Sequence, residues 1–129
     1  MKIGVPKEIK SQENRIGLTP ESVKILTSNG NEVMVENNGG FEAGFYNEQY
    51  KSAGAKIVEK ATDIFNDAEI IVKVKEPQKV EVEMIKENQI VYTYLHLAAA
   101  KELTESLVKS KSINIAYETI TDDNGRLPL

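Results

Sequence analysis

The single histidine of the chain, His96, lies in Val91-Tyr92-Thr93-Tyr94-Leu95-His96-Leu97-Ala98-Ala99-Ala100, where an apolar strand gives way to a helix. Imidazole is the one side chain whose ordinary pKa, about 6.5, lets it exchange protons near neutrality. The carboxyl end of a strand is also where α/β proteins gather their ligands. General acid/base chemistry and a structural hydrogen bond are both open to this residue. Arg15 stands out because arginine occurs twice and lysine fourteen times, so lysine is the default surface cation here. A guanidinium can hold a carboxylate through two parallel N–H groups, which an ammonium cannot; the plain alternative is a solvated loop cation. Lys73 and Lys75 share one face of a strand read over 70–75, and Lys75 is the better placed to reach a cleft at its end. A lysine pair snorkelling from a sheet edge is the alternative there. Tyr92, Tyr94 and His96 share a parity as well, which puts Tyr94 beside His96 and leaves Tyr92 to the core.

The elements that must position these groups alternate along the chain. Lys2 to Val5 reads as a strand stopped by Pro6, and the polar stretch from Lys7 to Gly17 has neither periodicity and reads as a loop. Thr19-Pro20-Glu21 supplies a cap hydroxyl, a proline at the first helical position and a first-turn acid, so a helix is expected from Thr19 to Asn29 before Gly30. Strands follow at 32–36 and 56–58, with helices at 47–53 and 61–66. Strand 70–75 closes at Pro77. A helix is then read over 82–87, a strand over 90–94, a helix over 101–109 and a strand over 113–117. Strand, helix, strand, helix favours a mainly parallel sheet covered on both faces. With right-handed crossovers this is a flavodoxin-like or Rossmann-like three-layer sandwich. The end of the chain carries Asn124-Gly125 turn chemistry between two extended pieces and finishes on Leu127-Pro128-Leu129. An apolar end of that kind is expected inside an element, so the sandwich is read as incomplete at its carboxyl side.

Composition narrows the chemistry. With 129 residues, 40% of them hydrophobic, the chain suits one domain with its own core. A net charge of -4 without a basic cluster argues against nucleic acid as a partner. The absence of cysteine and the single histidine exclude thiolate and histidine-rich metal sites. The charged start is not a secretory segment, and no apolar run approaches a membrane span, so the cytoplasm is the expected compartment. Gly39-Gly40-Phe41-Glu42-Ala43-Gly44 departs from G-x-G-x-x-G, and Phe41-Glu42 would put bulk and negative charge where a pyrophosphate lies. It reads as a turn.

Met1 to Glu8, Asn14-Arg15-Ile16-Gly17-Leu18-Thr19-Pro20, Ala53-Gly54-Ala55, Val72-Lys73-Val74-Lys75-Glu76-Pro77, Thr93-Tyr94-Leu95-His96-Leu97-Ala98-Ala99 and Ala116-Tyr117-Glu118-Thr119 together resemble the amino-terminal part of bacterial alanine dehydrogenases. Proton-translocating nicotinamide nucleotide transhydrogenases share the opening block and the Thr-Pro helix start; the Lys75 and Tyr-Leu-His-Leu blocks favour the dehydrogenases. The resemblance implies the substrate lobe, 1–129, of an enzyme converting L-alanine, NAD and water to pyruvate, ammonia and NADH. It implies that Arg15 holds the substrate carboxylate, Lys75 contacts the keto oxygen, Tyr94 lines the pocket and His96 is the general acid/base. It also implies that NAD is bound by a Rossmann domain absent from this chain, that the lobe is inactive alone, and that the full-length enzyme is a homo-oligomer. Two other readings are a piece of a transhydrogenase alpha subunit and a standalone module that binds a small carboxylate.

Overall fold

A computed structural model describes all 129 residues. Six strands form one sheet: β1 Lys2–Val5, β2 Glu32–Glu36, β3 Lys56–Val58, β4 Ile70–Val72, β5 Ile90–Thr93 and β6 Ile113–Ala116. Their order is β3-β2-β1-β4-β5-β6, and every pairing is parallel. This is the dinucleotide-fold order rather than the flavodoxin one, so of the two expected variants the Rossmann-like sheet is the one formed.

Period-two alternation divides the apolar residues between two faces. Ile3, Val5, Val33, Val35 and Val72 pack with Val23 of α1 (Pro20–Ser28) and with Tyr50 and Ala53 of α2 (Asn47–Ser52) and its cap. Met34, Ile71 and Val91 pack on the other face with Ile64 and Phe65 of α3 (Ala61–Asp67) and Leu107 of the helix at Lys101–Ser110. Helix α1 begins as its sequence dictates: Thr19 Oγ1 accepts the Ser22 N–H at 3.3 Å, and Pro20 occupies the first turn, where its missing N–H costs nothing. Gly4 permits the close seat of α3, because a Cβ there would meet Ile64 and would lie 2.8 Å from the Ala68 Cβ.

Two elements differ from the sequence reading. Strand β4 ends at Val72 rather than Lys75: the chain bends at Val74 and Lys75, where the Val74 N–H goes to the Glu8 carboxylate instead of to a neighbouring strand. Helix α4 spans Lys79–Val82, not 82–87: Gln78 caps it, with the Glu81 carboxylate accepting the Gln78 N–H at 2.7 Å. The helix at Lys101–Ser110 is then α5. Around Asn124-Gly125 the turn forms, with the Gly125 N–H donating to the Asp122 carbonyl, but the flanking pieces are not strands.

The face packed by α1 and α2 is covered over β1 to β3 only. Across β4 to β6 it presents Ile70, Tyr92, Ile113 and Ile115, with the last two 50% and 38% exposed. A cleft of about 750 Å³ borders this half, and Leu129 lies in its wall. A contiguous apolar surface is rarely left to water. The 129-residue chain is therefore expected to self-associate at high concentration and to bind an apolar dye. Sedimentation velocity giving a compact monomer, with no dye fluorescence, would count against this. No helix is long and apolar enough to cross a membrane.

Candidate active site

Strands β1 and β4 are neighbours, yet the chain leaves β1 toward α1 on one face and leaves β4 toward α4 on the other. Their carboxyl ends therefore open a crevice, the topological switch point of such sheets. The loop after β1, residues 6–19, brings Glu8, Glu13 and Arg15 to it; the segments after β4 and β5 bring Lys75, Tyr94 and His96.

The two walls are tied by buried charge. Lys73 is fully buried; its Nζ donates to Glu8 Oε2 at 3.1 Å and to Glu81 Oε1 at 2.8 Å. Glu8 Oε1 accepts the Val74 N–H at 2.7 Å and, more weakly, the Lys75 N–H at 3.4 Å. The same carboxylate thus binds the β1 loop to the backbone that carries Lys75. Burial pushes the Glu81 carboxyl above its ordinary value, with the Lys73 charge opposing it. Lys10 pairs with Glu76 farther out and joins the same two segments. Lys73 therefore does not snorkel from an edge. It is an interior cation; Lys75 is half-buried, and the Thr93 hydroxyl donates to its carbonyl at 2.9 Å.

Arg15 is exposed and bonded to Glu13: Nε donates to Oε1 at 2.8 Å and Nη2 to Oε2 at 2.7 Å. Those hydrogen bonds hold the Glu13 carboxyl down to about 2, and the Lys75 charge adds to the effect, so Glu13 lies within the field of both cations. The folded value is depressed, so the stability this pair contributes is present above the ordinary carboxylate range and lost as pH falls toward 2. Arg15 and Tyr94 line the same cleft. Tyr94 stacks on His96 with ring centroids 5.8 Å apart and planes 5° from parallel, and Tyr117 meets Tyr94 edge-on at 4.9 Å. The Tyr117 hydroxyl donates to the Lys73 carbonyl at 2.9 Å, and burial pushes that hydroxyl's pKa up. Tyr92, on the same face, packs against the core and also lines the cleft.

His96 begins no α-helix directly. It adopts φ 50°, ψ 38°, ahead of a single 3₁₀ turn at Leu97–Ala99, and α5 starts at Lys101. A non-glycine residue in the left-handed region is uncommon and needs support. Glu118, beyond the end of β6, provides it: Oε1 accepts the His96 N–H at 2.6 Å and the Leu95 N–H at 3.1 Å, and lies 4.0 Å from His96 Nδ1. Burial alone would raise the Glu118 carboxyl; the N–H donors from His96 and Leu95 reverse that and hold it below its ordinary value. The imidazole itself is half exposed. Arg15 and Tyr94 thus line one cleft; His96 adjoins it through its stack on Tyr94 and borders a neighbouring hollow with Leu95 and Glu118, while Lys75 lies near Glu13 without lining the cleft. Glu8, Glu81, Glu13 and Glu118 support them and are not singled out by the sequence, which offers Lys73 only as a strand-face neighbour of Lys75.

The β1–α1 crossover does not fit the pyrophosphate of NAD. At the β1–α1 crossover, where such sheets cradle a pyrophosphate, Thr19 already caps the helix, Pro20 has no N–H and Glu21 is anionic. Gly17 serves packing there, since a Cβ on it would lie 2.5 Å from the Val72 carbonyl oxygen.

Residues 4–129 match the family model described as "Alanine dehydrogenase/PNT, N-terminal domain". The chain belongs to this family. It is 49% identical over its whole length to an alanine dehydrogenase of Staphylococcus epidermidis and 46% identical to one of Methanococcus maripaludis, covering 34% and 35% of them. Among solved structures, an L-alanine dehydrogenase superposes on 99% of the chain with a TM-score of 0.96 at 48% identity, and the chain covers 35% of it. A transhydrogenase from Sinorhizobium meliloti superposes on 96% of the chain, which covers 35% of it, with a TM-score of 0.89 at 25% identity. The fold is common to both, and sequence identity places this family member nearer the dehydrogenases. It spans about a third of the length of the relatives it matches.

Proposed function

We propose that the chain is the substrate-binding domain of an alanine dehydrogenase that interconverts L-alanine with pyruvate and ammonia, using NAD bound by the remainder of a longer polypeptide. What supports this reading is that the segments after β1, β4 and β5 carry a guanidinium, an ammonium and an imidazole to one edge of the sheet: Arg15 and Tyr94 line one cleft, Tyr94 stacks on His96, and Lys75 lies within the field of Glu13, the partner of Arg15. The similarity to alanine dehydrogenases over the full 129 residues supports it. Transhydrogenase ancestry explains the shared sheet but not the Lys75 and His96 blocks.

Each side chain has a task suited to its chemistry. Arg15 receives the carboxylate of pyruvate or alanine through its planar fork. Lys75 donates to the keto oxygen, offsetting charge that develops there when ammonia adds to the carbonyl carbon. The resulting carbinolamine must gain a proton on its hydroxyl to leave as water and give the iminium. His96, half exposed and backed by Tyr94, can deliver that proton and take it back when water adds in the reverse direction. The β1–α1 crossover is not built to cradle a pyrophosphate, so the roles assigned to these residues are recognition and proton movement.

The test is NAD reduction with L-alanine by the full-length polypeptide and by the 129-residue chain. The full-length protein is expected to turn over and the chain to show no rate above background. Absence of L-alanine oxidation by the folded full-length protein, or turnover by the chain freed of contaminating dehydrogenase, overturns the assignment.

A further inference from the structure

Arg15 lies in a segment without helix or strand, and its side chain is 62% exposed, the condition under which a long cation samples many rotamers. It is nevertheless held. Glu13 takes three N–H groups of this one residue: the backbone N–H at 2.9 Å and Nε at 2.8 Å on Oε1, and Nη2 at 2.7 Å on Oε2. The Glu13 side chain is only 8% exposed, and every hydrogen bond it accepts comes from Arg15. The two side-chain bonds use the Nε/Nη2 edge of the guanidinium. Of its five N–H donors three remain, two on Nη1 and one on Nη2, and they form the end-on edge that suits a second carboxylate.

We propose that Glu13 is a positioning residue for substrate binding: it grips Arg15 by the Nε/Nη2 edge and so presents the Nη1/Nη2 edge, already ordered, to the carboxylate of the 2-oxo or 2-amino acid. The inference rests on the role proposed above for Arg15. An opposing effect is built in, because Glu13 places a negative charge beside an anion site. Were it only a rival for the guanidinium, its removal would tighten binding. Positioning gives the opposite sign, since a freed Arg15 must be ordered anew each time substrate binds.

The experiment compares wild type, Glu13→Gln and Arg15→Lys in the full-length enzyme with pyruvate, and follows the arginine Nε–H resonances of the 129-residue chain by NMR. Glu13→Gln is expected to raise KM for pyruvate about 3- to 30-fold, the scale of one long side chain's rotamer entropy, with kcat falling far less because binding is lost uniformly. The chain has two arginines, Arg15 and the exposed Arg126, so two Nε–H signals are expected. That of Arg15 should exchange slowly with water in the wild type and as fast as that of Arg126 in Glu13→Gln. An unchanged or lowered KM in Glu13→Gln, with Arg15→Lys still weakening pyruvate, overturns the positioning role alone. Wild-type KM in Arg15→Lys removes the Arg15 assignment and this inference with it. Equal exchange of the two wild-type signals shows that the grip does not form and overturns the inference whatever the kinetics.

Discussion

Replacing Lys73 with alanine should cost about 3–5 kcal/mol of folding stability, the range for breaking a buried ion pair from one side. The chain's total stability is expected to be only about 5–15 kcal/mol, so a large part of the molecules would unfold under mild denaturant. The reason is geometric. Lys73 Nζ stands between Glu8 Oε2 and Glu81 Oε1, and the side chains of all three residues are no more than 2% exposed. Without the ammonium, two carboxylates face each other away from water. Lys73→Met, which preserves most of the volume, should be nearly as harmful, because charge and not packing is what is lost. Combining Lys73→Met with Glu8→Gln and Glu81→Gln should recover much of the deficit. The new amide oxygens can still accept the Val74 and Gln78 N–H groups, and no uncompensated charge remains. The pH dependence has a defined sign. Glu81 already titrates above its ordinary value, so the folded state holds its proton more tightly than the unfolded one, and removing the opposing Lys73 charge strengthens this. Stability of Lys73→Met should therefore improve relative to wild type as pH falls below neutrality. Urea unfolding at two pH values measures both effects; a loss below about 1 kcal/mol with an unchanged denaturant slope would mean that the triad is not formed in solution.

Nothing in the sequence announces that triad. Lys73 continues an alternating strand pattern, and its partners lie 65 residues before it and 8 after it, so burial arises only once the β1 loop crosses the end of β4. The same limit applies to Glu118, whose carboxylate reaches back 22 residues to the His96 N–H. Local signals fare differently. Thr19-Pro20-Glu21 marks the start of α1 because cap chemistry is contained in three adjacent residues, and alternating valines place β2 to the residue. Helix α4 starts three residues before the sequence reading puts it: Val82 and Ile85 supply the apolar spacing, whereas Gln78 and Glu81 carry the cap that starts the helix. The alternation of strands and helices implies a parallel sheet but not the order β3-β2-β1-β4-β5-β6, since chain order does not say on which side of β1 a later strand will lie. Arg15, Lys75, Tyr94 and His96 are legible as candidates because rarity, parity and strand ends are properties of sequence. The carboxylates that seat them are properties of the fold.

In the full-length enzyme, His96→Ala should lower turnover about 10²- to 10⁴-fold, the usual cost of losing a positioned acid/base. Binding of pyruvate should suffer much less, because the roles proposed for Arg15 and Lys75, on the carboxylate and the keto oxygen, need no help from the imidazole. That split separates a proton-transfer role from a structural one. A histidine kept only to cap the Leu97–Ala99 turn would be replaced at little kinetic cost, since the Glu118 carboxylate bonds the backbone N–H at position 96 whatever side chain stands there. Alanine would, however, sit at φ 50° with more strain than asparagine, which tolerates the left-handed region. His96→Asn is therefore the control: it keeps the backbone and removes the proton-exchanging ring. Lys75→Ala should differ from both in damaging binding and turnover together, because in the proposed role one cation meets the keto oxygen in the ground state and the charge that grows on it later. Steady-state kinetics across pH for the three variants decide the matter. If His96→Asn keeps near-normal turnover and both limbs of the pH profile, the proton comes from elsewhere and the imidazole is a structural group stacked on Tyr94.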